Sequence, residues 1–197
     1  MARVFVITGP SGVGKGTLIR GLRERVPEVA LSVSATTRPP RPGEKDGVDY
    51  RFLEDTEFQR RVDAGDFVEH AHYSGRRYGT LRGELERHTA ADPPRPVVLE
   101  IELQGARQVR RSLPEAVQIF IAPPSQDALR ARLTGRGTDD EAQIRERLAV
   151  AEEELGAKAE FPHVVVNDRV QDAVDELVAI VGGDQRPGPR ASARLGA

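Results

Sequence analysis

The sequence predicts an α/β fold in which helices cover both faces of a five-stranded parallel sheet. Apolar, β-branched stretches alternate with amphipathic helical stretches along most of the 197 residues. Residues 97–101 (VVLEI) are almost continuously apolar, as in strands buried on both faces of a parallel sheet. The chain also opens with a strand, a glycine-rich turn and a helix, in that order. Together these observations favour one domain built on one doubly wound sheet.

The predicted elements follow one another in regular order. Strands are expected over residues 3–8, 29–37, 97–101, 117–124 and 163–168. Helices are expected over residues 17–26, 56–65, 81–91, 102–111 and 170–181. A helical pair is expected over residues 125–155, around a glycine turn at 135–138, and residues 67–80 alternate as a strand does. Residues beyond 182 have almost no large apolar side chain, which predicts a disordered tail.

Composition excludes several classes of function. The net charge is −2, so no strong field attracts nucleic acid or an acidic membrane surface. The chain has no cysteine, which excludes disulfides and thiolate zinc sites. No apolar run approaches the roughly 18 residues of a membrane span, and the first strand leaves no room for a signal peptide. We therefore expect a cytoplasmic protein. His70 and His72 fall on one strand face, but two semi-exposed histidines are a better interpretation than a metal site.

The most informative motif is GPSGVGKGT, from Gly9 to Thr17. It joins an apolar strand to an amphipathic helix, which is the context of a phosphate-binding P-loop. The glycines allow backbone N–H groups to close on an anion, and the helix N-terminus adds partial positive charge. Lys15 is expected to reach the outer phosphates. The alternative is a tight turn without a ligand, but such a turn needs neither three glycines nor a lysine at this spacing.

Two other features are less specific. Residues 38–52 are rich in proline and glycine, and Arg38 and Arg41 stand on a stiffly extended backbone. Taken alone, this segment is better interpreted as a surface loop. Glu100 and Glu102 follow the buried strand at the edge where open α/β sheets bind ligands.

The chain resembles the guanylate kinases, which are P-loop nucleoside monophosphate kinases. The resemblance covers residues 3 to about 181 and rests on the order and spacing of several motifs: GPSGVGKGT, SATTRPPRPGEKDGVDY, FVEHAHYSGRRYGT, EIELQGA, RLTGRGT, IRERL and VVVND. It implies a P-loop NTPase-like core (1–33, 83–123 and 159–184), a GMP-binding insertion (34–82), a helical lid (124–158) and a tail (185–197). The implied reaction transfers the γ-phosphoryl group of ATP to GMP.

The resemblance also implies roles for individual residues. Arg38 and Arg41 resemble the arginines that hold the GMP phosphate, since guanidinium groups match phosphate geometry. Glu69 resembles the guanine reader, because a carboxylate only accepts and guanine offers two adjacent N–H donors. The full implied GMP set is Ser34, Arg38, Arg41, Tyr50, Glu69, Tyr78, Thr80, Glu100, Glu102 and Arg147.

On the donor side, ATP is implied on the P-loop with Mg²⁺ bridging its β- and γ-phosphates. The implied ATP set is Gly9, Pro10, Ser11, Gly12, Val13, Gly14, Lys15, Gly16, Thr17, Arg132, Arg136, Asn167 and Asp168. The implied catalytic residues are Lys15, Arg41, Arg136 and Arg147. No general base is required, because the attacking GMP phosphate oxygen is already ionised.

The chain departs from the family pattern at two places. Gly16 stands where a hydroxyl usually follows the lysine, so the Mg²⁺ ligand is either Thr17 or a water. Glu100 and Glu102 stand where aspartates are common, and each is one methylene longer. Two other functions stay open: a non-catalytic module that binds phosphorylated proteins, and a kinase of another monophosphate. The lysine, the lid arginines and Glu69 favour the GMP kinase, with no nucleic-acid, membrane or obligatory protein partner expected. Use of dGMP and the oligomeric state are left open.

Overall fold

A computed structural model of the chain describes residues 3–73, 75–134 and 141–183. Five parallel strands form its main sheet: β1 Val4–Thr8, β2 Ala30–Leu31, β7 Val97–Glu100, β8 Val117–Ala122 and β9 His163–Val166. They lie in the spatial order β2–β7–β1–β8–β9. Four strands form a second sheet: β3 Ala35–Thr36, β4 Arg51–Phe52, β5 Phe67–Tyr73 and β6 Arg76–Leu81. The predicted five-stranded parallel sheet is confirmed.

Seven helices lie within the described residues: α1 Lys15–Arg25, α2 Asp55–Asp63, α3 Arg82–Thr89, α4 Leu103–Ser112, α5 Gln126–Thr134, α6 Glu141–Gly156 and α7 Val170–Gly182. A short 3₁₀ helix, Ala157–Glu160, follows α6. The predicted turn at 135–138 and the predicted tail at 185–197 lie outside the described residues. In the part of the chain that the structure describes, no helix has both the length and the apolar character of a membrane span.

Alternate side chains of β1 pack into two different hydrophobic cores. Phe5 and Ile7 face a cluster that contains α1 and α7 side chains such as Leu22 and Leu177. The intervening residues Val4 and Val6 face a second cluster, which includes side chains of α4. A strand in the centre of a parallel sheet is covered on both faces, so every residue of β1 is buried.

The predicted strand over residues 29–37 is wrong as a single element. Ala30 and Leu31 pair in parallel with β7, whereas Ala35 and Thr36 pair with β4 and β6 of the second sheet. The strand-like pattern continues through both pieces because both are largely buried, so periodicity could not reveal the change of sheet. Residues 67–80 likewise form two antiparallel strands rather than one, with Gly75 in a left-handed conformation (φ 72°) at the turn.

Candidate active site

The loop between β1 and α1 has backbone conformations that require glycine. Gly9 has a φ of 142°, and a Cβ there would overlap the carbonyl oxygen of Ile121. Gly14 has a φ of 98°, and a Cβ there would lie 2.7 Å from Nδ2 of Asn167. Gly9 packs against β8 and Gly14 packs against the residue directly after β9, so the turn can be this tight only with glycine.

Among the described residues, no side chain caps the first turn of α1. Helix α1 begins at Lys15, has no side-chain cap at Gly14 and has no acidic residue in its first turn. Backbone N–H groups at a helix start lack intrahelical partners and carry partial positive charge. The Nζ of Lys15 folds back over the loop and donates to the carbonyl oxygen of Gly9 at 2.6 Å. A bound phosphate would give this ammonium group a stronger partner than the carbonyl.

Asn167, directly after β9, and Arg132 of α5 both hydrogen-bond to the loop. Asn167 is 3% exposed, and its Nδ2 donates to the carbonyl oxygen of Val13 at 2.8 Å. Arg132 donates to the same oxygen at 3.3 Å and to the carbonyl oxygen of Asn167 at 2.9 Å. Two residues predicted to bind ATP therefore bind the loop itself in this structure.

Helix α6 contacts the loop through Arg147. Nη2 of Arg147 donates to Oγ of Ser11 at 3.1 Å. A predicted catalytic guanidinium group thus lies beside the predicted phosphate-binding loop, Gly9–Thr17, called the phosphate loop below. Arg136, the other arginine predicted for this role, lies outside the described residues. Thr17 and Asp168 are both exposed to solvent, on the first turn of α1 and directly after β9.

Glu69 and Thr80 meet because they are paired across β5 and β6. Oγ1 of Thr80 donates to Oε1 of Glu69 at 2.7 Å. Glu69 is only 4% exposed, and burial raises the pKa of its carboxyl to about 7 even though the hydrogen bonds from Thr80 lower it. The second carboxylate oxygen of Glu69, Oε2, lies next to Gly105 of α4.

Glu69 lies in a cavity of about 280 Å³ between the second sheet and α4. The predicted GMP residues that line this cavity are Ser34, Arg38, Arg41, Tyr50, Glu69, Tyr78, Glu100 and Glu102. Thr80 lies behind Glu69, and Arg147 approaches from α6. The structure therefore brings together residues from the loop 37–50, from β5 and β6, and from the end of β7.

The two predicted phosphate-binding arginines share one carboxylate. Nη2 of Arg38 donates to Oε1 of Glu44 at 2.8 Å, and the backbone N–H of Arg41 donates to Oε2 of Glu44 at 2.7 Å. The guanidinium group of Arg38 also lies over the ring of Tyr50, 5.2 Å from its centroid. The hydrogen bond from Arg38 lowers the pKa of Glu44, which keeps the carboxylate charged.

Acidic groups lie where the cavity meets the phosphate loop. Burial raises the pKa of Glu100, while the charge of Lys15 opposes the shift and that of Glu102 adds to it. Glu154 of α6 is 7% exposed, and burial, followed by the charge of Glu102, raises its pKa. These groups are therefore close to Lys15, and their charge depends on what binds there.

Sequence reasoning missed four residues of this site: Tyr73, Glu44, Gly105 and Glu154. Tyr73 lines the cavity and also lies beside Ser11, so it spans the cavity and the phosphate loop. Glu44 could have been found as the acidic residue three positions after Arg41. Gly105 and Glu154 carry no local signal, since only packing brings them to the site.

Comparison with known proteins decides the family. The sequence model of the family described as guanylate kinase matches residues 1–183. This chain belongs to the guanylate kinase family. A guanylate kinase of Frankia casuarinae is 55% identical over 178 residues, which cover 90% of this chain and 96% of that protein. A guanylate kinase of Thermobifida fusca is 51% identical, covering 91% of this chain and 90% of the other.

Solved structures agree with the fold. The crystal structure of guanylate kinase from Anaplasma phagocytophilum matches with a TM-score of 0.72 and 31% identity, covering 93% of this chain and 86% of that one. The predictions of the family, the α/β fold and guanylate kinase activity are confirmed. The chain is a nucleoside monophosphate kinase. Its family implies ATP and GMP as substrates, and kinases of this kind generally use a divalent metal with ATP.

Proposed function

We propose that this guanylate kinase binds ATP on the loop Gly9–Thr17 and GMP in the cavity around Glu69. One observation carries the proposal. A buried carboxylate and two arginines line a single cavity, and residues of that cavity also lie next to the phosphate loop. A donor phosphate on the loop and an acceptor phosphate beside Arg38 and Arg41 would then be neighbours, as phosphoryl transfer requires.

The guanine base would be read by Glu69 together with Ser34 and Thr80. Ionised Glu69 offers only acceptors, which match the adjacent N1–H and N2–H donors of guanine. Adenine presents a lone pair at N1 and would leave the buried carboxylate facing another acceptor. Such a mismatch in a buried site can cost roughly 10⁴-fold in discrimination. The Thr80 hydroxyl supports the assignment because it holds one carboxylate oxygen and fixes the plane of the group.

The GMP phosphate would be bound by Arg38 and Arg41 with the hydroxyls of Tyr50 and Tyr78. Glu44 supports this role because it orients the side chain of Arg38 and the backbone of Arg41 before any ligand arrives. The guanidinium group of Arg38, held in this way, and that of Arg41 can each donate in pairs to phosphate oxygens. Glu100 and Glu102 would lie on the far side of the nucleotide.

The catalytic groups would be Lys15, Arg41, Arg136 and Arg147. An oxygen of the ionised GMP phosphate attacks the γ-phosphorus of ATP. The bond from that phosphorus to the β–γ bridging oxygen breaks, and ADP leaves with the negative charge. The cationic side chains stabilise charge on the transferring group, an effect worth on the order of 10³–10⁵ in rate for well-placed arginines of this type. The contact of Arg147 with Ser11 supports its assignment.

Arg132, Asn167 and Asp168 are proposed on the ATP side. Asn167 and Arg132 would act by shaping the loop that they already bind. Asp168 is exposed after β9, where it could accept from the base of ATP.

The divalent metal is proposed to be Mg²⁺, held mainly by ATP and water. Among the described residues, no group of three or more His, Cys, Asp or Glu side chains could hold a metal ion. This fits Mg²⁺, which usually keeps several waters and binds substrate phosphates rather than a protein cage. Gly16 supplies no side chain, so the hydroxyl of Thr17 or a water in its place would complete the shell. When bound, Mg²⁺ neutralises charge on the β- and γ-phosphates.

We further propose that residues 34–82 act as the GMP-binding insertion and residues 124–158 as the lid. The second sheet supports the first assignment, because its strands carry Glu69, Tyr78 and Thr80. A cytoplasmic location and the lack of nucleic-acid, membrane or obligatory protein partners stay predictions from the sequence.

An ADP-release assay with ATP, Mg²⁺ and either GMP or AMP tests the proposed function. GMP is expected to be preferred by several orders of magnitude. The Glu69→Gln variant should lose use of GMP while its KM for ATP stays within about twofold of the wild type. Comparable turnover of GMP and AMP by the wild type would rule out the assignment of Glu69.

A further inference from the structure

We propose that Gly105 determines guanine specificity by leaving the space that the carboxylate of Glu69 occupies. Gly105 is the third residue of α4, and its Cα faces the end of the Glu69 side chain. The inference rests on the proposed role of Glu69 as the reader of guanine. It adds a residue that acts only through the position of that carboxylate.

The contact between the two residues leaves no room for a methyl group. A Cβ on Gly105 would lie 2.6 Å from Oε2 of Glu69, 3.1 Å from its Cδ and 3.4 Å from Cδ1 of Ile101. The separation from Oε2 is shorter than a carbon–oxygen contact tolerates and the separation from Cδ is tight, so a Gly105→Ala variant must displace the end of the Glu69 side chain. The other oxygen of Glu69 is engaged by Thr80. The carboxylate is thus held between a hydroxyl on one side and the bare helix backbone on the other.

The strand that carries Glu69 is hydrogen-bonded to α4 on both sides of that residue. Gln108 of α4 makes two hydrogen bonds with the backbone of His70, accepting from its N–H at 3.2 Å and donating to its carbonyl oxygen at 2.7 Å. Ser112 donates to the carbonyl oxygen of Val68 at 3.1 Å. Both chain neighbours of Glu69 are therefore bonded to the helix.

The three helix residues form one stripe. Gly105, Gln108 and Ser112 are spaced by three and then four positions, which places them on one face of α4. Gln108 and Ser112 hydrogen-bond to the β5 backbone. Gly105 has no side chain, so the space beside it holds the carboxylate of Glu69. A methyl group at residue 105 therefore requires the end of the Glu69 side chain to move. The carboxylate must then lose its hydrogen bond with Thr80 or rotate out of the plane that matches guanine.

This arrangement separates recognition from stability. Alanine is favoured over glycine inside a helix, and the end of a glutamate side chain moves easily, so Gly105→Ala should fold normally. Gly83→Ala in α3 is a matched control, because Gly83 is helical and a Cβ there would have no neighbour within 4 Å.

The experiment measures kcat/KM for GMP and IMP, and KM for ATP, in the wild type, Gly105→Ala and Gly83→Ala. IMP keeps the N1–H of GMP but lacks its 2-amino group. In Gly105→Ala, kcat/KM for GMP should fall about 10- to 100-fold, the loss expected for a hydrogen bond to a charged group. The preference for GMP over IMP should fall with it, while KM for ATP and the melting temperature stay at the values of Gly83→Ala.

A shorter acid at residue 69 provides the decisive comparison. In a Glu69→Asp background the carboxylate is withdrawn from α4, so adding Gly105→Ala should cause little further loss. The two changes should be non-additive by about the full effect of Gly105→Ala alone. Additive losses would overturn the inference, as would a Gly105→Ala enzyme with wild-type GMP kinetics or one that loses GMP and IMP equally.

If Gly105→Ala does not fold, Gln108→Met tests the same arrangement, because it removes both bonds to His70 while keeping the size of the side chain. A reduced preference for GMP over IMP is then expected, and an unchanged preference contradicts the proposal. The underlying function is judged separately. A Glu69→Gln enzyme that keeps the preference for GMP would refute the role of Glu69 itself, whereas loss in Glu69→Gln with a silent Gly105→Ala refutes only the inference.

Discussion

Affinity for GMP is expected to fall as the pH decreases through 7, because the proposed binding requires Glu69 to be ionised. Burial raises the pKa of this carboxyl to about 7 in the free protein. A protonated carboxyl presents an O–H donor to the N–H donors of guanine, so the proton and the nucleotide compete. GMP must therefore bind more weakly below the pKa of Glu69 than above it.

The size of the effect follows from one competing proton. The apparent dissociation constant is multiplied by the ratio of total to ionised Glu69, which for a pKa of about 7 is about 1.1 at pH 8 and about 30 at pH 5.5. The corresponding loss of binding free energy is about 2 kcal/mol. Because the hydrogen bonds of Thr80 lower the pKa of Glu69, a Thr80→Val variant should move the midpoint to higher pH.

Tyrosine fluorescence offers a direct assay of GMP binding. The chain has three tyrosines and no tryptophan, and Tyr50, Tyr73 and Tyr78 all line the cavity. Binding is titrated between pH 5.5 and 8 for the wild type and for Glu69→Gln. The variant supplies the control, because it retains the titration of the GMP phosphate, near pH 6, and of other cavity groups such as Glu100. The ratio of the two affinities isolates Glu69. A ratio that stays constant over this range would refute the reasoning.

Three further predictions follow from single contacts. Lys15→Ala should reduce kcat by roughly 10²–10³ or more with an unchanged melting temperature, since the hydrogen bonds of Lys15 to described residues go to the loop carbonyls of Gly9 and Pro10; near-normal turnover would show that the loop does not hold the phosphates. Asn167→Ala should lower the melting temperature by about 2–10 °C, because it removes the bond to Val13 at a cost of about 1–3 kcal/mol; an unchanged value in thermal unfolding contradicts this. The free protein should lose stability as the pH rises from about 4.5 to about 7, because burial raises the pKa of Glu69 to about 7 and the folded state holds that proton over this range while the unfolded state releases it. Calorimetry should find a weaker pH dependence in Glu69→Gln, and equal slopes would exclude this contribution.

Much of the core could be predicted because short stretches of the sequence indicate it. The almost continuous apolar run at residues 97–101 places β7 inside a parallel sheet, and the glycines of residues 9–14 mark where the chain must turn back against Ile121 and Asn167. Each of these signals depends on a few neighbouring residues. The family motifs extended the prediction to Glu69, Arg38 and Arg41, although their roles stay proposals.

The remaining features depend on contacts between distant parts of the chain. The spacing of apolar residues does not indicate which strands pair with each other. It therefore predicts one strand over residues 29–37, although the chain passes from the main sheet to the second sheet after Leu31. The link between β2 and β3 is held by Glu84, which accepts from the backbone N–H of Val33 at 3.3 Å. No local pattern marks that contact.

The sequence by itself determined that five strands build a parallel sheet and which family the chain belongs to, and it predicted a phosphate-binding loop at Gly9–Thr17. Backbone conformation and the alternation of apolar residues are local properties, so each can be inferred from a short segment of the sequence. Only the tertiary structure placed Gly105 against the carboxylate of Glu69, Glu44 between Arg38 and Arg41, and Tyr73 beside Ser11. Those separations result from how helices and two sheets pack, since a side chain's partner is set by the fold of the whole chain and not by its neighbours in sequence.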